Sequence, residues 1–357
     1  MPISITQENI LNLLRTVQDP DLHRDLVALN MVKEIKVVGN DVSITIELTT
    51  PACPLKEKIK NDCEQALRQI ENIGSIQINM TANVSRQSAA QEKTGLPGVK
   101  NIIAVSSGKG GVGKSTVSTN LAVCLAKAGA AVGLMDADAY GPNIPQMIGV
   151  TQLPATVGER IIPPQAHGIK TISVAMMTDP NQPIIWRGPM LHSLISQFIH
   201  HVDWGELDYL IVDMPPGTGD AQLSLTQQCA LSGVVMVTTP QQVANADVRR
   251  GIMMFHRVEA PILGLVENMA YFICPDNGKK YNIFGSGGGE RLALEMEIPF
   301  LGRIPIDPRI VVGCDTGNPI VLTSPDCEAA QCFNDIAQAV ARQTSIANAN
   351  TTSLPVL

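Results

Sequence analysis

Aromatic residues are scarce: Phe, Trp and Tyr together make up 3 % of the 357 residues. With hydrophobic residues at 45 %, a sizeable core is available, but it must be built mainly from aliphatic side chains. No window approaches the ~20 consecutive apolar residues needed to cross a bilayer. The N-terminal stretch MPISITQENI has no basic region followed by an apolar run, so no secretory leader is expected. Positive charge is also in deficit. Lys and Arg number 26 against 33 Asp and Glu, a formal net charge of −7, which argues against broad binding to nucleic acid or to an anionic membrane. Eight cysteines scattered along such a chain read as thiols of a cytoplasmic protein rather than as a disulfide framework.

The length suggests two domains of unequal size. Residues 1–84 read as a small α/β domain. It comprises a helix over 7–18, strands at 31–38 and 42–48 around Gly39-Asn40-Asp41, an amphipathic helix over 55–71, and a closing strand at 76–80. Residues 85–97 (SRQSAAQEKTGLP) are polar, without periodicity, and end in Gly and Pro, which marks a linker. From 98 to 343 the pattern changes to short aliphatic runs: 102–106, 131–135, 210–212, 234–238 and 262–266, with helical stretches between several of them. That βαβ rhythm predicts a doubly wound, mostly parallel sheet. The last helix is expected over about 325–341, and 344–357 is expected to be a disordered tail.

One segment carries unmistakable chemistry. Gly108-Lys109-Gly110-Gly111-Val112-Gly113-Lys114-Ser115-Thr116 matches the phosphate-binding loop G-x-x-x-x-G-K-[ST], with an expected strand before it and a helix after it. Glycines let the backbone curl its N–H groups towards phosphate oxygens, and the helix N-terminus adds positive partial charge. Lys114 is expected on the β- and γ-phosphates and the Ser115 hydroxyl on Mg²⁺. Lys109 is a second loop lysine that the intrachain mechanism does not need. It is either a solvated lysine or one that reaches a nucleotide in a second subunit, as in deviant-Walker ATPases, and the second reading is preferred.

Two expected strands end in acids, Asp136-Ala137-Asp138 and Asp213, the latter followed by MPPGTGD. Ligands of α/β sheets sit at such carboxyl ends. Asp213 is expected to act as the Mg²⁺-side carboxylate and Asp138 to orient the attacking water. The Gly217 N–H is expected to meet the γ-phosphate as a switch. After the strand 262–266 comes Glu267-Asn268-Met269-Ala270, without the Asn-Lys-x-Asp loop of guanine readers. ATP is therefore the expected nucleotide, with the Asn268 amide pairing with the adenine edge.

These motifs resemble a family. From about 99 to 341 the chain is similar to the Mrp/ApbC-type iron–sulfur cluster carrier P-loop ATPases, through GKGGVGKST, DADAYGPN (136–143), WRGPM (186–190), DYLIVDMPPGTGD (208–220), TTPQQVANADVRRG (238–251), GLVENMAYF (264–272), IFGSGGGE (283–290) and GRIPIDPR (302–309). The first domain resembles the small domain of iron–sulfur assembly factors through DPDL (19–22), DLVALNMV (25–32) and TTPACP (49–54). The resemblance implies an ATP-hydrolysing homodimer that binds an iron–sulfur cluster and passes it to apoproteins, working with assembly factors. It also implies a cluster site at Cys274. The family's second cysteine position is occupied here by Asn277, so two subunits supply only two of the roughly four thiolates a cluster takes, and the cluster is expected to be labile. Cys63, Cys124, Cys229, Cys327 and Cys332 read as core residues, and Cys314 as an exposed loop thiol. Cys53, before Pro54 at a helix start, is either an activated thiol or a buried turn cysteine. Two alternatives stand beside the carrier. One is a ParA/MinD-like positioning ATPase, opposed by the acidic balance, the lack of a basic amphipathic C-terminal helix and the assembly-type first domain. The other is a regulatory P-loop ATPase that has lost stable cluster binding.

Overall fold

The computed structural model describes residues 5–86, 96–177 and 188–352. The central stretch of the expected linker, 87–95, and Trp186 and Arg187 of the WRGPM string lie outside the described residues.

In the small domain the strand Asp41–Leu48 alternates strictly, with Val42, Ile44, Ile46 and Leu48 buried, the period-2 signature of a sheet with one covered face. It pairs antiparallel with Val32–Val38 and parallel with Ile76–Ala82. Helices Gln7–Leu14 and Lys56–Leu67 close that face with Ile10, Leu14, Ile59, Cys63 and Leu67.

The large domain is an eight-stranded sheet in the order 165–166, 169–173, 132–136, 207–213, 99–107, 233–238, 262–267, 300–303. Every pairing is parallel except the two-residue edge strand Gln165–Ala166. Successive residues of its strands serve two cores. Ile103, Val105, Ile211, Val235 and Val237 face one layer, with helices Lys114–Lys127 and Glu328–Thr352. Ile102, Ala104, Val212, Val234 and Met236 face the other, with helices Gly188–His200 and Gln242–Arg257. Burial on both faces explains why these strands read as continuous aliphatic runs. The arrangement collects the ends of 99–107, 132–136, 207–213 and 262–267 along one edge of the sheet.

The expected tail needs correction, because the last helix continues to Thr352. Thr344 and Ser345 are buried and return their hydroxyls to the carbonyls of Val340 (2.8 Å) and Ala341 (3.1 Å). Asn348 donates to Asn101 Oδ1 at 2.9 Å. Polar side chains that satisfy themselves locally can sit in a packed helix, which a polarity reading mistakes for disorder.

The two domains touch. Ala52 and Val84 join the core of the large domain. The buried Tyr209 hydroxyl donates to Thr50 Oγ1 at 3.1 Å, and Arg342 pairs with Asp21 at 2.6 Å.

Candidate functional site

The strand Val99–Ser107 delivers the chain into the glycine-rich loop, and the helix Lys114–Lys127 leaves it. Two glycines are dictated by their surroundings. A Cβ on Gly108 would lie 2.3 Å from the backbone of Asp247 and Val248. Gly113 has φ +82°, and a Cβ there would lie 2.1 Å from Asn268 Nδ2. Gly113 is also the N-cap residue and carries no capping side chain, which leaves the first-turn N–H groups to an anion. The loop frames a cavity of about 380 Å³, lined by Lys109 to Thr116 together with Asp138, Tyr140, Asn143, Met147 and Pro216.

Lys114 lies at the bottom of the site and is 6 % exposed. Its ammonium is 2.6 Å from Asp213 Oδ2 and 3.5 Å from Asp138 Oδ2. Asp213 is fully buried and also accepts from Ser115 Oγ at 2.6 Å and Ser118 Oγ at 2.5 Å. Three donors converge on one carboxylate, so a charge excluded from water is held in place. Asp138 accepts from the N–H groups of Tyr140 (3.1 Å) and Gly141 (3.3 Å), and this turn orients it towards the cavity that it lines. Lys109 lines the same cavity and forms no ion pair among the described residues.

The sequence reading places Asp136 among the strand-end acids but gives it no role. It is fully buried, accepts from Ser173 Oγ at 2.7 Å, and also accepts from the Asp138 N–H at 3.1 Å. Burial first, and then the neighbouring Asp213 charge, raise its carboxyl well above the ordinary range. A lone acid before Ala137-Asp138 gave no signal that it would be sealed beneath the site. Tyr140, Asn143 and Met147 were also missed as lining residues, although Tyr140 and Asn143 belong to the string DADAYGPN, which begins at a strand end.

Two expected contacts are spent elsewhere. The Gly217 N–H donates to the Ser107 carbonyl at 2.9 Å, with the glycine at φ +95°. The Asn268 amide donates to the Val112 carbonyl at 2.8 Å, where it braces the phosphate loop from beneath.

Cys274 lies on a small hairpin whose two-residue strands, Phe272–Ile273 and Lys280–Tyr281, pair antiparallel. The thiol is half-buried. Asn277 shapes the turn, accepting from the Lys279 N–H at 2.9 Å and donating to the Tyr281 hydroxyl at 3.2 Å. The hairpin is moored to the last helix, since Glu328 accepts from the Tyr271 hydroxyl (2.6 Å) and from Lys280 (2.8 Å). Among the described residues no three His, Cys, Asp or Glu side chains cluster as a metal site within one chain. Cys314, expected to be exposed, is instead buried in the helix Pro308–Thr316. Cys332, expected in the core, is only half-buried. Cys53 is half-buried, and burial, supplemented by Asp19 and Asp21, pushes its thiol up, which favours the turn-cysteine reading.

Comparison with known proteins fits this geometry. Residues 98–341 match the family described as NUBPL iron-transfer P-loop NTPase. The chain belongs to this family of iron–sulfur cluster carrier P-loop NTPases. Residues 7–80 match a second family, described as iron-sulfur cluster assembly protein. The iron-sulfur cluster carrier protein of Synechocystis sp. is 49 % identical over 349 residues, covering 96 % of this chain and 99 % of its own length. Its counterpart in Escherichia coli K12 is 39 % identical over 338 residues, covering 94 % and 91 %. Among solved structures, a nucleotide-binding protein from Archaeoglobus fulgidus in complex with ADP is 41 % identical, with a TM-score of 0.56 over 62 % of this chain and 88 % of that one. The cell division ATPase MinD of Pyrococcus furiosus, at 23 % identity and a TM-score of 0.51 over 67 % of this chain and 98 % of its own, shares the fold.

Proposed function

We propose that this protein is an ATP-driven carrier that holds an iron–sulfur cluster at Cys274 and gives it up to apoproteins. The observation that supports this most strongly is a phosphate site with Lys114 on Asp213 at 2.6 Å, in a chain whose Asn268 both braces that site and precedes Cys274 by six residues.

Lys114 binds the β- and γ-phosphates and Asp138 orients the attacking water. Ser115 and Asp213 fit Mg²⁺ because they present hard oxygen donors that meet at 2.6 Å, and Mg²⁺, when bound, supplies charge neutralisation for the phosphates. Lys109, unpaired in its own subunit among the described residues, acts on the nucleotide of a second subunit in a homodimer. The cluster is cargo. Two copies of Cys274 provide two thiolates, and the amide of Asn277 is a poor ligand for soft iron, so cargo is held loosely and handed on readily. All eight cysteines are free, which suits a reducing cytoplasm. The recipients are apoproteins, with assembly factors as the source.

Anaerobic reconstitution with iron and sulfide, read by visible absorption and bound-iron analysis, tests this reading. The parent protein should load, Cys274→Ser should not, and Asn277→Cys should hold the cluster more firmly. Equal iron and sulfide in Cys274→Ser would place the site elsewhere.

A further inference from the structure

The last residue of the strand Ile262–Glu267 and the two that follow it touch two separate parts of the molecule, the phosphate loop and the start of the helix Gly288–Glu295. Asn268 is 5 % exposed, donates its amide to Val112 inside the phosphate loop, and fills the space that a Cβ on Gly113 would need. Glu267 is fully buried. One of its carboxylate oxygens accepts from the Gly289 N–H at 2.6 Å in the IFGSGGGE string, and the other has, among the described residues, only the Arg303 guanidinium, at 3.6 Å. Between these anchors and the hairpin stands Met269, a non-glycine residue at φ +55°. A side chain in that left-handed region is strained, and the surroundings must hold it there. Beyond Met269 the chain is tied down again, by the Ala270 N–H to Ile304 O at 2.9 Å and the Ile306 N–H to Tyr271 O at 2.7 Å, and then runs directly to Cys274.

We infer that Asn268 and the Met269 backbone form a positioning element that transmits the state of the phosphate loop to the Cys274 hairpin. Phosphate binding draws the N–H groups around Val112 and Gly113 onto the anion. The Val112 carbonyl belongs to the same short loop, so Asn268 is the side chain that feels its movement. Glu267 fixes the residue before, so displacement of Asn268 passes forward through the left-handed Met269 rather than back into the sheet. The biological meaning of this coupling rests on Cys274 being the cargo ligand, but the coupling itself does not.

Hydrogen exchange of the cluster-free protein, with and without ATP and Mg²⁺, tests it. In the parent, ATP should slow exchange across residues 270–284 by about fivefold or more, the lower range of coupling for a two-state element. Met269→Gly accepts the same backbone without strain. Because the Met269 side chain lies beside Gly113, the variant's ATP affinity is first measured by fluorescence titration, and exchange is then compared at saturating ATP, where the hairpin response should fall towards none. Asn268→Ala should lose the response as well, with strand Val99–Ser107 keeping its protection as the control for folding. A parent hairpin indifferent to ATP, or a full response in Met269→Gly, would overturn the inference. If Cys274→Ser were to keep its iron while the ATP response of the hairpin followed this pattern, the cargo assignment alone would fail.

Discussion

Replacing Lys114 by Ala removes the one cation within ion-pair distance of both Asp138 and Asp213 among the described residues. Asp213 has no exposure and cannot turn to water. Its remaining donors, the hydroxyls of Ser115 and Ser118, hydrogen-bond the carboxylate without neutralising it. Breaking a buried pair by removing one partner leaves an uncompensated charge and costs about 3–5 kcal/mol, against about 0–1 for a solvent-exposed pair. At ~1.4 kcal/mol per tenfold, the folded-to-unfolded ratio of the nucleotide-free ATPase domain should fall by about two to three and a half orders of magnitude. Urea unfolding followed by tryptophan fluorescence reports this domain alone, because Trp186 and Trp204 both lie in it and Trp204 is 2 % exposed. The double variant Lys114→Ala with Asp213→Asn should regain most of the loss, since no lone charge remains. A loss below about 1 kcal/mol, or no recovery in the double variant, would refute the view that this pair is the electrostatic keystone of the site.

Gly113→Ala should weaken ATP binding about tenfold or more, measured by fluorescence titration. A Cβ would collide with Asn268 at 2.1 Å in a backbone conformation that costs about 1–2 kcal/mol for a side chain. Alkylation of the native protein near pH 8 should leave Cys63 and Cys124 unlabelled, because burial pushes both thiols up to about 12, while half-buried Cys274 is modified early, as peptide mass spectrometry would show. Asp136 has its carboxyl raised, by burial first, to about 8. The protonated form is therefore favoured by folding, and its contribution is complete below the ordinary carboxylate range and is lost as pH rises through the folded value. Nucleotide-free protein should accordingly lose urea resistance as pH rises from about 4 to about 8, and Asp136→Asn should flatten that slope. Arg342→Ala should loosen the small domain, read as faster exchange in the loop around Asp21 and Cys53, because it removes the ion pair that joins the last helix to Asp21.

The large domain was legible because each of its signals is a backbone requirement written in residue type. Glycines at Gly108 and Gly113 answer to close contacts, and aliphatic runs such as Ile102–Val105 answer to a sheet covered on both faces. Lys114, Ser115, Asp138 and Asp213 came together because strand ends of a parallel sheet share one edge. What escaped was decided by tertiary partners. The strand Ile169–Ser173 is a strand because it lies beside Val132–Asp136. Asn348 is buried because Asn101 and Ser85 receive its amide. Asn268 looked available to a base because nothing in Glu267-Asn268-Met269 reveals that Val112 lies within 2.8 Å. Cys314 looked exposed among glycines, yet Gly313 is the close-packed part of a buried helical turn, where a Cβ would meet Asn318 O at 2.7 Å.

The central claim, that this chain carries a cluster rather than keeping one, is tested most directly by transfer. Protein reconstituted anaerobically is mixed with an apo-ferredoxin in the presence of an iron chelator, and holo-ferredoxin is followed by circular dichroism with and without ATP and Mg²⁺. The account predicts chelator-resistant transfer that depends on nucleotide, is absent in Cys274→Ser and is slower in Asn277→Cys. Transfer at the rate of free iron and sulfide, equal in parent and Cys274→Ser, would contradict it.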